Sequence, residues 1–117
     1  MNKHDKTVNH ISVANQLHID DVNELVSNVL GWAWERNITQ EGTNSGQIKK
    51  LEEEFHELKS SLMDGQNPQD DIGDMAVVLI IIAALNGLTF GECLKHAWMD
   101  IKDRKGTMVK GVFIKNG

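Results

Sequence analysis

Cysteine is nearly absent: Cys93 is the only one in 117 residues. An intrachain disulfide is therefore excluded, and so is a cysteine-rich zinc site. Proline is as scarce, and Pro68 falls between two helical patterns rather than inside one. Long apolar runs are missing too. The longest, Met75 to Leu85, has eleven residues, whereas a membrane span needs about twenty. A buried helix and no membrane partner are expected. The segment after Met1 is polar and lacks the apolar core of a signal peptide, so a cytoplasmic, reducing setting is expected. Positive charge is in deficit, with twelve Lys and Arg against seventeen Asp and Glu for a net −5. That balance argues against nucleic acid or an anionic membrane as partner.

What remains is helical patterning over one domain, residues 1–117, with a loose arm at 1–17 and a tail at 106–117. A first helix is predicted from near Asp20, with Asp20 or Asp21 capping it and Val22, Leu25, Val26, Val29 and Leu30 on one face. Residues 37–46 read as a loop. A second helix runs from Ser45 or Gly46 to Met63 with a stripe of Ile48, Leu51, Phe55, Leu58 and Leu62, and Asp64-Gly65 stops it. Asn67 and Pro68 restart the chain as N-cap and first helical residue. The third helix reaches Leu85 and is closed by Asn86-Gly87. Thr89 and Glu92 have capping-box spacing, so a fourth helix runs from Phe90 to Lys102 or Arg104. The β-prone tail, Thr107 to Lys115, reads as a short hairpin or an extended segment.

The expected fold is thus all-α, a four-helix, bundle-like arrangement. Its third helix is apolar nearly all round, from Met75 to Ile82, where a surface helix needs only one apolar stripe. The excess predicts a homo-oligomer, a dimer or a tetramer built from dimers.

Two acidic clusters stand out: Glu52-Glu53-Glu54 with Glu57, and Asp70-Asp71 with Asp74. Glu54 and Glu57 are three apart, as are Asp71 and Asp74, so each pair shares a helix face. Four carboxylates converging from two helices repel unless cations sit between them, and hard oxygen ligands suit Mg²⁺, or Mn²⁺. The metal-ligand candidates are therefore Glu54, Glu57, Asp71 and Asp74.

The ordered set Lys50-Leu51-x-Glu53-Glu54-x-x-Glu57-Leu58, then Asp70-Asp71-Ile72-Gly73-Asp74, resembles the MazG family of all-α nucleoside triphosphate pyrophosphohydrolases. Trp32-Ala33-x-Glu35-Arg36-Asn37-Ile38 and Gln47 upstream, and Asp100 to Phe113 downstream, resemble short phage and mobile-element members. Asp71 departs from that pattern, standing where the family more often has Glu. Asp70 is the alternative ligand, since Asp70 and Asp74 share a face. The resemblance implies Mg²⁺-dependent hydrolysis of (deoxy)nucleoside triphosphates to monophosphate and pyrophosphate, a house-cleaning activity. In that reading Glu53 orients or deprotonates the attacking water beside Glu54, and Glu54, Glu57, Asp71 and Asp74 hold the metal. Lys102, Arg104 and Lys105 are candidates for gripping the phosphates, although basic residues at a helix C-terminus also simply complement its dipole. Trp32 or Trp34 is free to stack on a base, since residues two apart cannot both enter one core.

Two rivals stand beside the enzyme. Glu53-x-x-His56 is half of a di-iron motif, but no second Glu-x-x-His follows. The non-enzymatic alternative is a helical oligomerisation or regulatory module with a cation-stabilised acidic face.

Overall fold

The computed structural model describes residues 21–117; the expected loose arm at 1–17 lies outside them. The chain is mostly helical with one small two-stranded sheet. Helix α1 spans Val22–Glu35, capped by Asp21, whose carboxylate accepts from the Asn23 and Glu24 N–H groups at 2.9 and 3.4 Å.

The expected loop at 37–46 is partly helical. Asn37 adopts a left-handed conformation, φ 61°, and turns the chain into α2, the single turn Ile38–Glu41. Asn tolerates that conformation, and half-buried Ile38 anchors the turn against the rest. A side chain on Gly42 would meet the Ile38 carbonyl oxygen at 2.3 Å, so the exit from α2 requires glycine.

Helix α3 spans Asn44–Met63, with the Thr43 hydroxyl accepting from Gly46 N–H at 3.0 Å. Gly65, φ 68°, ends it as predicted. Helix α4 spans Gln69–Leu85. Its start is one residue later than expected: Pro68 is the cap, its carbonyl taking Ile72 N–H, while Asn67 Oδ1 takes Gln69 N–H at 3.0 Å. Helix α5, Phe90–Ile101, begins at the capping box read from Thr89 and Glu92, with both reciprocal bonds formed.

The tail is a hairpin. Strands β1 (Gly106–Val109) and β2 (Val112–Lys115) pair antiparallel, Met108 opposite Phe113 and Val109 opposite Val112. Lys110 and Gly111 both have positive φ, the geometry of a two-residue turn matched to strand twist.

The core lies along α4. Helices α1, α2 and α3 pack on it, and Val78, Ile80, Ile81 and Ala83 are buried there beside Ala33 of α1. Helix α5 turns away from α4 by 101° and buries no residue, so within one chain the four long helices do not close around a common centre. The apolar stripe expected to face the core on α3 is split. Leu51 and Leu58 are half-buried, but Ile48, Phe55 and Leu62 face outward, 47–58% exposed. The reason is rotational: the contact centres on the line through Leu51, Glu54 and Leu58, and Ile48, Phe55 and Leu62 lie beyond its edge. No single helix among the described residues is long and apolar enough to cross a membrane.

Ile81 is 4% exposed, so Ile81→Ala should cost about 2–5 kcal/mol of unfolding free energy in chemical denaturation. An unchanged denaturation midpoint would remove the middle of α4 from the core.

Candidate metal centre

The register between α3 and α4 is set at one end by side chains. Asn44 Nδ2 donates to Asn86 Oδ1 at 3.2 Å, and Asn86 Nδ2 donates back to Asn44 Oδ1 at 2.8 Å and to the Ile82 carbonyl at 2.8 Å. This amide pair ties the first residue of α3 to the C-cap of α4. Both helices rise about 1.5 Å per residue, so counting inward from the tie brings Glu54 and Glu57 to either side of Asp74. Asn86, read from sequence as a C-cap, is one, and also fixes this register.

Glu54, Glu57 and Asp74 meet. One carboxylate oxygen from each lies within 4.8 Å of the others. Glu54 is 6% exposed, Asp74 half-buried and Glu57 exposed at the rim. Lys50, one turn back, places Nζ 3.2 Å from Glu54 Oε1 and 3.5 Å from Glu53 Oε2. The other oxygen, Glu54 Oε2, is buried with no hydrogen-bond partner. A buried carboxylate oxygen normally has a donor or a cation. The donor set is all hard oxygen. Ligands on an octahedral Mg²⁺ stand about 3 Å apart when adjacent and about 4.2 Å apart when opposed, so three carboxylate oxygens within 4.8 Å of one another would draw further inward on an ion. The residues present therefore fit a small divalent cation.

Electrostatics agree. Glu57 is held above the usual carboxylate range first by the negative charge of nearby Glu54, with lesser pushes from burial and from Asp71. Asp74 is raised by burial, then by the charges of Asp70, Glu54 and Asp71. Lys50 is held above its ordinary value by its hydrogen bond to Glu54 and by the charges of Glu54 and Glu53.

The predicted ligands separate here. Glu54, Glu57 and Asp74 come together; Asp71 is half-buried outside the trio and acts on it by charge. Asp70 is exposed and lines an open cavity of about 540 Å³ with Asn67, Gln69, Gly73, Asp74 and Val77. Glu53 opens onto a second cavity, about 490 Å³, whose wall includes Trp32, Gln47, Lys50, Val77 and Val78. Trp32 also borders a smaller recess with Asp74 and Val77. Its indole thus stands between the acidic trio and the larger cavity, with the Arg36 guanidinium 4.7 Å above the ring. Trp34 is 64% exposed. Lys102, Arg104 and Lys105 are not brought to the trio within one chain. They follow α5, where Arg104 pairs with Asp100 at 2.7 Å and Lys102 lies 3.8 Å from Asp103.

From sequence Lys50 could grip phosphate or simply be a solvated helix residue; the structure pairs it with Glu54 and Glu53. Its signal was the four-residue spacing to Glu54, which gains meaning only once Glu54 is known to be buried.

No family model matches the chain, and no solved structure matches it. The chain is 38% identical over 68 residues to the "Uncharacterized 18.2 kDa protein in rep-hol intergenic region" of Haemophilus phage HP1 (strain HP1c1). The match covers 56% of this chain and 42% of that protein, so the chain spans less than half the length of this relative.

Folding raises the proton affinity of Glu57 and Asp74. Without metal, their charge costs stability above the raised values, and the cost is absent below the ordinary carboxylate range. Bound Mg²⁺ offsets it. The rise in thermal midpoint on adding Mg²⁺ should therefore be larger at neutral than at mildly acidic pH, and Glu54→Gln should abolish it. An equal rise at both pH values would detach the trio from the ion.

Proposed function

We propose that this chain is a metal-dependent nucleoside triphosphate pyrophosphohydrolase of the MazG type. The observation that carries the reading is the buried, half-satisfied Glu54 carboxylate, held against Glu57 and Asp74 beside a cavity bordered by Trp32. Mg²⁺, or Mn²⁺, is the cation the donor set suits. An anionic pocket of this kind takes up a polyphosphate only with a divalent ion between them. When bound, that ion supplies charge neutralisation and polarises a phosphoryl oxygen and a water.

The chain's own residues do the rest. Glu54, Glu57 and Asp74 hold the ion's position, with Asp71 and Asp70 adding negative potential from the next turn. Glu53 lies outside the trio and accepts the proton of a water attacking the α-phosphorus; the bond to the bridging oxygen breaks, releasing monophosphate and pyrophosphate. Lys50 neutralises Glu54 and shares with Glu53 and Trp32 the wall of the cavity beside the trio. Trp32 offers a flat apolar face to the base. House-cleaning of nucleotide pools in the cytoplasm and a homo-oligomeric assembly belong to the same reading.

A second reading is favoured by the exposed Phe55, Leu62, Leu94 and Trp98: a non-catalytic oligomerisation module whose acidic face is cation-stabilised. Product analysis separates the two. With a panel of nucleoside triphosphates and Mg²⁺, the hydrolase releases pyrophosphate and not orthophosphate. Glu53→Gln, Glu54→Gln and Asp74→Asn should each lower turnover by about 100-fold or more with helical circular dichroism unchanged. Asp71→Asn should cost clearly less than Asp74→Asn. Full activity in the Asp74→Asn variant would defeat the assignment.

A further inference from the structure

Lys50 and Glu54 stand in the poorer order for helix support. Along a helix, Glu four residues before Lys is favourable and the reverse is weaker. Yet Lys50 precedes Glu54 by four and places its ammonium 3.2 Å from Glu54 Oε1. Lys50 is half exposed and Glu54 is buried, so the lysine reaches from solvent onto a carboxylate that meets Asp74 of α4. Glu53 Oε2 lies 3.5 Å from the same ammonium and steadies it from the exposed side. Two carboxylates thus engage one ammonium, which has three donors to give.

The two oxygens of Glu54 are thereby made unequal. Oε1 is taken by Lys50, and Oε2 is buried without a partner. One oxygen is also all that Glu54 brings to the group it forms with Glu57 and Asp74. Two common divalent ions respond differently to such a carboxylate. Mg²⁺ demands near-octahedral oxygens at about 2.0–2.1 Å and keeps several waters. The bite of a two-oxygen carboxylate is too narrow for its right angles, so single oxygens suit it. Ca²⁺ takes about six to eight oxygens at about 2.3–2.6 Å and accepts carboxylates that give both. Withholding Oε1 costs Mg²⁺ nothing and costs Ca²⁺ a ligand.

We propose that Lys50 sets the ion preference of this centre: by holding Glu54 Oε1 it confines Glu54 to one oxygen and so favours Mg²⁺ over Ca²⁺. Lys50 is then a positioning residue that acts through Glu54. This deepens the hydrolase reading, and rests on it only for the presence of a divalent ion at the trio. A lysine acting by charge alone would weaken the binding of both ions alike, since they carry the same charge. The hydrogen bond acts instead on the ratio of the two affinities.

The test titrates the parent chain, Lys50→Met and Lys50→Arg with Mg²⁺ and with Ca²⁺, each ion alone and without nucleotide, by calorimetry. Lys50→Met keeps an apolar stem and removes the ammonium, and should move the affinity ratio toward Ca²⁺ by about tenfold. Lys50→Arg, which keeps a donor for Glu54, should hold the parental ratio. Equal gains for both ions in Lys50→Met, with the ratio unmoved, overturn the proposal and leave the metal centre and the hydrolase standing. A parent that binds neither ion overturns the proposal and the metal centre together. A shifted ratio in a protein that releases no pyrophosphate keeps the role of Lys50 and sinks the hydrolase. A crystal structure of the parent grown with Ca²⁺ decides the point without any variant. One Glu54 oxygen on the ion and the other on Lys50 Nζ is expected; both oxygens on the ion, with Lys50 displaced, overturn the proposal.

Discussion

A carboxylate in the seam between two helices is the constraint on which the rest depends. Glu54 occupies the place on α3 that a leucine would fill in an ordinary helix pair, with Leu51 and Leu58 on either side of it. Lys50 compensates one oxygen, and the other faces no donor. Burying a charge in this way is costly without a partner. The cost accounts for the positive charge recruited one turn away, and the charge of Glu54 for the raised proton affinity of Glu57, while Asp74 is raised first by its own burial. The cost also accounts for the direction in which the chain invites a ligand.

The fold serves this seam in particular ways. The reciprocal amide bonds of Asn44 and Asn86 fix the antiparallel register at one end. The Gly65 turn and the Asn67 cap close the other end, where the acids gather. Buried Val78, Ile80 and Ile81 hold α4 rigidly while its first turns project Asp70, Asp71 and Asp74. Helix α1 adds the Trp32 wall. The same economy leaves α5 and the hairpin with exposed apolar faces.

Much of this was legible in the sequence because local signals are short-ranged and strong. Asp21, Thr89 with Glu92, Gly65 and Gly87 each act within a few residues, and each appears where the pattern placed it; of the two forms open to the tail, the hairpin is the one formed. The pairing of Glu54 with Glu57 also followed from helix geometry alone. Tertiary rotation was not legible. Apolar spacing marked Ile48, Phe55 and Leu62 as core, yet the contact settled about 50° round the helix, through Glu54. For the same reason Asp71 and Asp74 were both expected as ligands, with Asp70 the alternative to Asp71, whereas the facing helix meets only Asp74. The turn at Ile38–Glu41 was hidden because it depends on Asn37 entering a left-handed conformation and on Ile38 finding a surface. The placement of Lys102, Arg104 and Lys105 far from their expected target depends on a 101° bend that composition does not encode.

The most direct measurement of the central claim is paramagnetic broadening of backbone amide signals during titration with Mn²⁺. The account predicts that signals of Glu54, Glu57 and Asp74 and their immediate neighbours vanish first, at substoichiometric ion, while those near Ala83 stay sharp. Broadening centred instead on the solvated Glu52, or spread evenly along the acidic surface, would contradict it.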